Sequence, residues 1–134
     1  LGAATGRYLT TAKLPSAAEG NVHLGKSAPL SFDHSPVVKM DFNTEPRIVL
    51  TADGWYLTFG ADPAWRAEAK CKPVTTALLG LAKIPNLPFE NPDGSPLRIA
   101  TDYFGKRRDS GNPFPGPFET PESGTQTIKV WPKL

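Results

Sequence analysis

The sequence predicts an all-β fold: a small antiparallel sandwich or jelly-roll-like domain with an extended arm at each end. Three observations carry that expectation. There is a hairpin signature within Arg47–Gly60, there are several more short runs alternating apolar with polar residues, and proline makes up 15 of 134 residues, against a usual share of about 5%. Short alternating runs parted by turn residues are the common look of a sandwich or small barrel.

Residues 1–29 hold few large apolar side chains and many Gly, Ala, Ser and Thr, and read as an extended N-terminal arm. Residues 30–105 read as the β core. Its first strand is VVKMDF, with Val38, Met40 and Phe42 on one side and Val37, Lys39 and Asp41 on the other. The hairpin RIVLTADGWYLTFG follows. Asp53-Gly54 suits the centre of a type I′ turn, where both residues need positive φ. That pivot sets Ala52 against Trp55, Leu50 against Leu57 and Ile48 against Phe59, one apolar face expected to pack on the core. Arg47, Val49, Thr51, Tyr56 and Thr58 take the other face. On this reading Leu50→Ala costs ~2–5 kcal/mol, as for a buried large-to-small change.

Residues 62–83 admit two readings. Asp62 and Pro63 suit a helix N-cap and first position. Yet Trp65, Ala67, Ala69 and Cys71 alternate with Arg66, Glu68, Lys70 and Lys72, as in an edge strand guarded by charge. The length of the alternation favours a strand, with one short helix within 62–83 as the alternative. PLRIATDYF then places Leu97, Ile99, Thr101 and Tyr103 on one side of a further strand. Residues 106–134 form a Pro/Gly-rich C-terminal arm. It closes on a terminal strand with Ile128 and Val130 on one face and Thr127, Lys129 and Trp131 on the other.

Charge and composition narrow the function. Fifteen Lys and Arg against 13 Asp and Glu give a net charge of +2, without the clustered basic stripe that binds nucleic acid. No apolar run reaches the ~18 residues of a transmembrane segment. A single cysteine, Cys71, excludes an internal disulfide and a multi-cysteine zinc site, and suits a small buried hydrophobe. The chain starts at Leu1 and its one methionine is Met40. A removed leader would account for that, pointing to an extracytoplasmic (secreted or periplasmic) or virion-associated setting.

Few motifs carry chemistry. Gly20–Ser27 reads GNVHLGKS, a letter-for-letter phosphate-loop match. A working loop needs a buried strand before it and a helix after it, whereas AKLPSAAE precedes it and Ala28-Pro29 follows. His23, His34 and Met40, with Asp33 and Cys71, are the conceivable copper set, without compact ligand spacing. No G-x-S-x-G elbow is present, and alternation sends Asp33 and His34 to opposite faces. The basic run Lys106–Arg108, beside Tyr103 and Phe104, reads as a solvated turn or a contact for an acidic surface. Trp55 reads as core, which leaves Trp65 and Trp131 as the tryptophans whose exposure decides between roles.

The expected function is therefore non-catalytic and without cofactor or metal: a structural or accessory subunit of a larger assembly, its partners other protein subunits in a homo- or hetero-oligomer. Phe114, Phe118 and Trp131 would anchor the C-terminal arm among prolines that lower the entropy lost on docking. Trp65, Tyr103, Arg107 and Arg108 complete the partner-binding set. The alternative is a secreted carbohydrate-binding module stacking sugar on Trp65, Trp131 or Tyr103. A copper-binding protein through His23, His34 and Met40 is a weaker alternative.

Overall fold

The structure, a computed structural model, describes residue 11, residues 17–42 and residues 44–132. The sequence expectations for the rest of the N-terminal arm and for residues 133–134 lie outside them. Strands dominate: β1 (Ala18–Glu19), β2 (Val22–Leu24), β3 (Asp33–His34), β4 (Val37–Lys39), β5 (Arg47–Leu50), β6 (Gly54–Ala61) and β7 (Gly124–Pro132), with two short helices, α1 (Trp65–Ala69) and α2 (Thr76–Leu79). The all-β class stands. Its antiparallel pairing holds for the sheet β5-β6-β7, while β1 pairs with β3 and β2 with β4 in parallel.

The hairpin keeps its faces and changes its turn. Leu50 pairs with Trp55 and Ile48 with Leu57, so the apolar set stays on one side, and Thr51 N–H donates to Gly54 O at 2.8 Å. The turn thus centres on Ala52-Asp53, one residue earlier than expected, and neither residue has positive φ. The Asp53 carboxylate holds this geometry by accepting from Thr51 Oγ1 at 2.7 Å, Tyr56 OH at 3.0 Å and Lys129 Nζ at 3.0 Å. Gly54 takes φ +150 where β7 passes so closely that a Cβ would sit 2.3 Å from Trp131 O.

β7 pairs along β6 from Ala61–Gly124 to Gly54–Pro132 with a bulge between Trp55 and Tyr56. Because Tyr56 meets Lys129 and Trp55 meets Trp131, Val130 is the extra residue. The bulge moves Trp131 onto the face of Ile128, away from its expected place beside Lys129. Two apolar rows then cross the sheet, Leu50–Trp55–Trp131 and Ile48–Leu57–Ile128. Much of both rows is open: Ile48, Leu50 and Trp55 are 66, 49 and 40% exposed. The core position expected for Leu50 and Trp55 is therefore corrected.

The core lies elsewhere, in Val37, Ala61, Trp65, Ala69 and Phe114, flanked by Val22, Leu24, Phe42, Phe59 and Cys71. Residues 65–69 form a helix, not the favoured strand. Asp62 Oδ1 accepts from Ala64 N–H at 2.9 Å, and the helical i, i+4 spacing puts Trp65 and Ala69 on one buried face. Lys70, at φ 48, ends it. Thr75 caps α2 by accepting from Leu78 N–H at 3.1 Å. In β4 the core takes Val37, while Val38 and Met40 are exposed, and Phe42 beyond the strand packs against the core. The strand expected at 96–104 reduces to single bridges, Thr75–Arg98 and Thr101–Arg107 among them.

Candidate functional site

The residues that present an aromatic surface begin at a turn. Asp102 Oδ1 accepts from Phe104 N–H at 2.9 Å and Lys106 N–H at 2.8 Å, and Gly105 takes φ +79. A second clip ties this turn to the following segment, with Tyr103 N–H donating to Pro117 O at 2.9 Å and Glu119 N–H to Asp102 Oδ2 at 3.0 Å. Desolvation pushes the Asp102 carboxyl up, but the N–H bonds from Glu119, Lys106 and Phe104 outweigh it and hold it below its ordinary range.

Clipped in this way, Tyr103 and Phe104 stand out at 50 and 56% exposed. Phe118 joins them: its ring centroid lies 6.0 Å from Tyr103, 5.6 Å from Phe104 and 5.2 Å from Phe59 on the sheet. The Tyr103 hydroxyl donates to Val130 O, next to Trp131, which is 55% exposed. Tyr103 and Phe118, both named from the sequence, thus pack together, and Trp131 follows the Val130 carbonyl that the Tyr103 hydroxyl holds. Phe104, Phe59 and Trp55 were not foreseen in this role.

Beneath this surface is a buried charge cluster. Glu119, 3% exposed, accepts from Arg66 Nη2 at 2.7 Å and from the N–H of Asp109 at 3.0 Å and Phe114 at 3.2 Å, with Arg108 Nη1 at 3.5 Å. Arg108 also donates to Phe114 O and Gly116 O at 3.1 and 2.7 Å. The basic run therefore divides. Arg108 turns inward, while Lys106, which bonds Thr120 Oγ1, and Arg107 are both exposed. Phe114 and Trp65 lie in the core at 6 and 5% exposed, with ring centroids 6.4 Å apart. Phe114 stacks on the Trp65 ring and Phe42 meets it T-shaped, and at 5% exposed Trp65 offers no open face for stacking or docking, while Phe114 is likewise a core anchor.

A groove of about 910 Å³ opens between the sheet and the 108–121 segment, lined by Leu57, Phe59, Trp65, Ile99, Phe114 and Phe118 among others. Phe118 belongs to both groove and aromatic surface. Cys71 lines it too, its thiol pushed up first by burial and then by the charge of Glu19.

The remaining motifs take the following places in the fold. In GNVHLGKS, Gly20 is a corner at φ 67, Val22–Leu24 is β2, and Ser27 bonds back to Leu24 O. No helix leaves it, so nothing aims N–H groups at a phosphate. His23 Nε2 lies 2.9 Å from Asp33 Oδ2, His34 and Met40 are exposed, and no three His, Cys, Asp or Glu side chains gather among the described residues. No helix of the described residues is long and apolar enough to cross a membrane.

No family model and no curated protein matches the sequence. The fold is similar to that of a solved structure, described as the complex of XylC with xylose, with a TM-score of 0.72 and 21% identity over 97% of this chain. The chain spans 22% of that protein's chain. A sheet-rich architecture found within a much longer chain is the class that fold and comparison define.

Proposed function

We propose that this chain is a non-catalytic carbohydrate-binding module serving as one part of a larger protein. The observation that carries the reading is the exposed aromatic surface of Tyr103, Phe104 and Trp131, braced by Phe118 and the Val130 carbonyl. The C–H faces of a sugar ring are apolar and pack on such rings, and rigid aromatics lose little entropy in doing so. Arg107 and Lys106 stand beside the surface with donors for sugar hydroxyls. The likeness to a protein in complex with xylose supports xylose-containing saccharides as the first ligands to test.

Calorimetric titration with xylo-oligosaccharides is the experiment. Trp131→Ala and Tyr103→Ala are each expected to weaken binding about tenfold, or ~1.4 kcal/mol. Ile84→Ala, at an 81% exposed position, is expected to leave it unchanged. No heat at millimolar saccharide overturns the reading.

The exposed apolar residues Ile48, Leu50 and Trp55 of the two rows favour a second reading, an accessory subunit of a larger assembly, since apolar surface of this kind marks interfaces. Light scattering at several concentrations tests it. A strict monomer of 14.5 kDa leaves only assembly with a different partner.

A further inference from the structure

Residues 97–101 are held from both sides. On one side Thr76 N–H donates to Leu97 O at 2.9 Å and Ile99 N–H to Val74 O at 3.0 Å. On the other, Arg108 N–H donates to Ala100 O at 2.8 Å, and Thr101 bridges to Arg107. Residues 98–101 and 107–110 are thus the two arms of a hairpin whose turn carries Tyr103 and Phe104. Backbone fixed on both edges holds the side chains of the first arm in set directions, and alternation puts Arg98 and Ala100 on one face of it.

A pocket of about 310 Å³ opens on this hairpin, lined by Arg98, Ala100, Arg107, Arg108, Asp109 and Ser110 among others. Ligand sites span ~300–1,000 Å³, so it has room for a small group. Its polar side chains divide into two kinds. Arg108 is committed to Thr101 O, Phe114 O, Gly116 O and Glu119, and Asp109 Oδ1 accepts from the N–H groups of Gly111 and Asn112 at 2.9 and 2.7 Å. The guanidinium groups of Arg98 and Arg107 and the Ser110 hydroxyl make no hydrogen bond or ion pair among the described residues. Three arginines therefore face two carboxylates, Asp109 in the lining and Glu119 behind Arg108. Glu119 also serves Arg66, so at least one positive charge is unmatched. Like charges gathered at one cavity repel until an anion joins them.

Resting on the saccharide reading of the aromatic surface, we propose that this pocket binds the carboxylate of an acidic sugar, a uronic acid residue, through Arg98, Arg107 and the Ser110 hydroxyl. The planar guanidinium fork matches a carboxylate with two parallel hydrogen bonds. A carboxylate brings a single negative charge, whereas a phosphate monoester brings ~1.5–2 and would overfill the site. The aromatic surface names the rest of the ligand. Thr101, which bridges to Arg107, is two residues from Tyr103, or ~7 Å of extended chain. Consecutive sugar residues of one oligosaccharide thus reach both the Tyr103 ring and the pocket.

The test is calorimetric titration of the full chain with a neutral xylo-oligosaccharide and with the same oligosaccharide bearing one glucuronic acid residue. The acidic ligand is expected to bind at least about tenfold tighter, as charge-assisted hydrogen bonds allow. Arg98→Gln is expected to abolish that preference and to leave the neutral ligand's affinity unchanged, which also reports that the variant is folded. Equal affinities in the parent chain overturn the proposal and leave the aromatic surface as a saccharide site. A preference that survives in Arg98→Gln overturns the assignment to this pocket. No heat from either ligand overturns the saccharide reading and the proposal with it. Free glucuronic acid is expected to displace the acidic ligand better than inorganic phosphate does, and the reverse order overturns the choice of a carboxylate.

Discussion

Replacing Glu119 by alanine removes the acceptor on which Arg66, Arg108 and the N–H groups of Asp109 and Phe114 converge. Breaking a buried ion pair from one side costs ~3–5 kcal/mol, because the partner charge is left behind. Two stranded N–H donors raise that loss by ~1–3 kcal/mol each where water cannot reach them. Arg66 keeps 32% of its side-chain surface exposed and Arg108 14%, so water restores part of the solvation. A net loss of about 4 kcal/mol follows, equivalent to a fall in Tm of about 10–15 °C for a chain of this size. Urea unfolding followed by tryptophan emission measures it, since Trp65 sits one residue from Arg66. Glu119→Gln, which keeps one acceptor oxygen, is expected to lose less. In an Arg66→Met background Glu119→Ala is expected to cost less than it does alone, as coupled partners do. A Glu119→Ala chain within ~1 kcal/mol of the parent would refute the assignment of Glu119 as the charge that ties the 108–119 segment to α1.

Gly54→Ala is expected to destabilise by well over the ~1–3 kcal/mol of backbone strain, because its Cβ would lie 2.3 Å from Trp131 O and 2.8 Å from Lys129 Cε. Gly94→Ala, with nothing within 4 Å, is the strain-only comparison, and thermal melts of both decide. Leu50→Ala is expected to cost about 1 kcal/mol or less, half of full burial, as Leu50 is 49% exposed. A loss of ~2–5 kcal/mol in chemical denaturation would mean that the face is covered in solution. Asp102 and Asp109 have carboxyls lowered in the folded state, Asp109 by the N–H groups of Asn112 and then Gly111. Their contribution is full above the unfolded pKa of ~3.9 and is lost as pH falls through the lower folded values. Tm is thus expected to fall below about pH 4 on their account, and Asp102→Asn to flatten that decline. An unchanged acid slope would contradict it.

Alternation made the hairpin legible, because the two faces survive a change in which residues form the turn. The turn itself was not legible, since Lys129, which grips Asp53, lies 76 residues away in sequence. In residues 65–69 strict alternation competed with a helical stripe, and tertiary burial of Trp65 and Ala69 decided for helix. The parallel pairs escaped notice because AEGNVHL and DHSPVVK share only one valine position, Val22 and Val37, among their paired residues. At the candidate site Tyr103 and Trp131 could be named as candidate stacking aromatics from sequence, and Phe118 as an anchor of the C-terminal arm. Trp65 and Phe114 were named with them, since nothing local distinguishes a buried ring from a presented one. Asp102 and Gly105 did form a readable turn signature, and it would have pointed to Phe104. Glu119 could not be read, because its meaning depends on Arg66, 53 residues away.

The most direct measurement is the tryptophan emission of the full chain during titration with xylo-oligosaccharides, with light scattering on the same samples. Saturable change, absent in Trp131→Ala and accompanied by a constant monomer mass, is the result expected of a sugar-binding aromatic surface. Emission that ignores saccharide but changes with protein concentration as the mass rises would contradict it, and would assign the exposed tryptophans to an interface between chains.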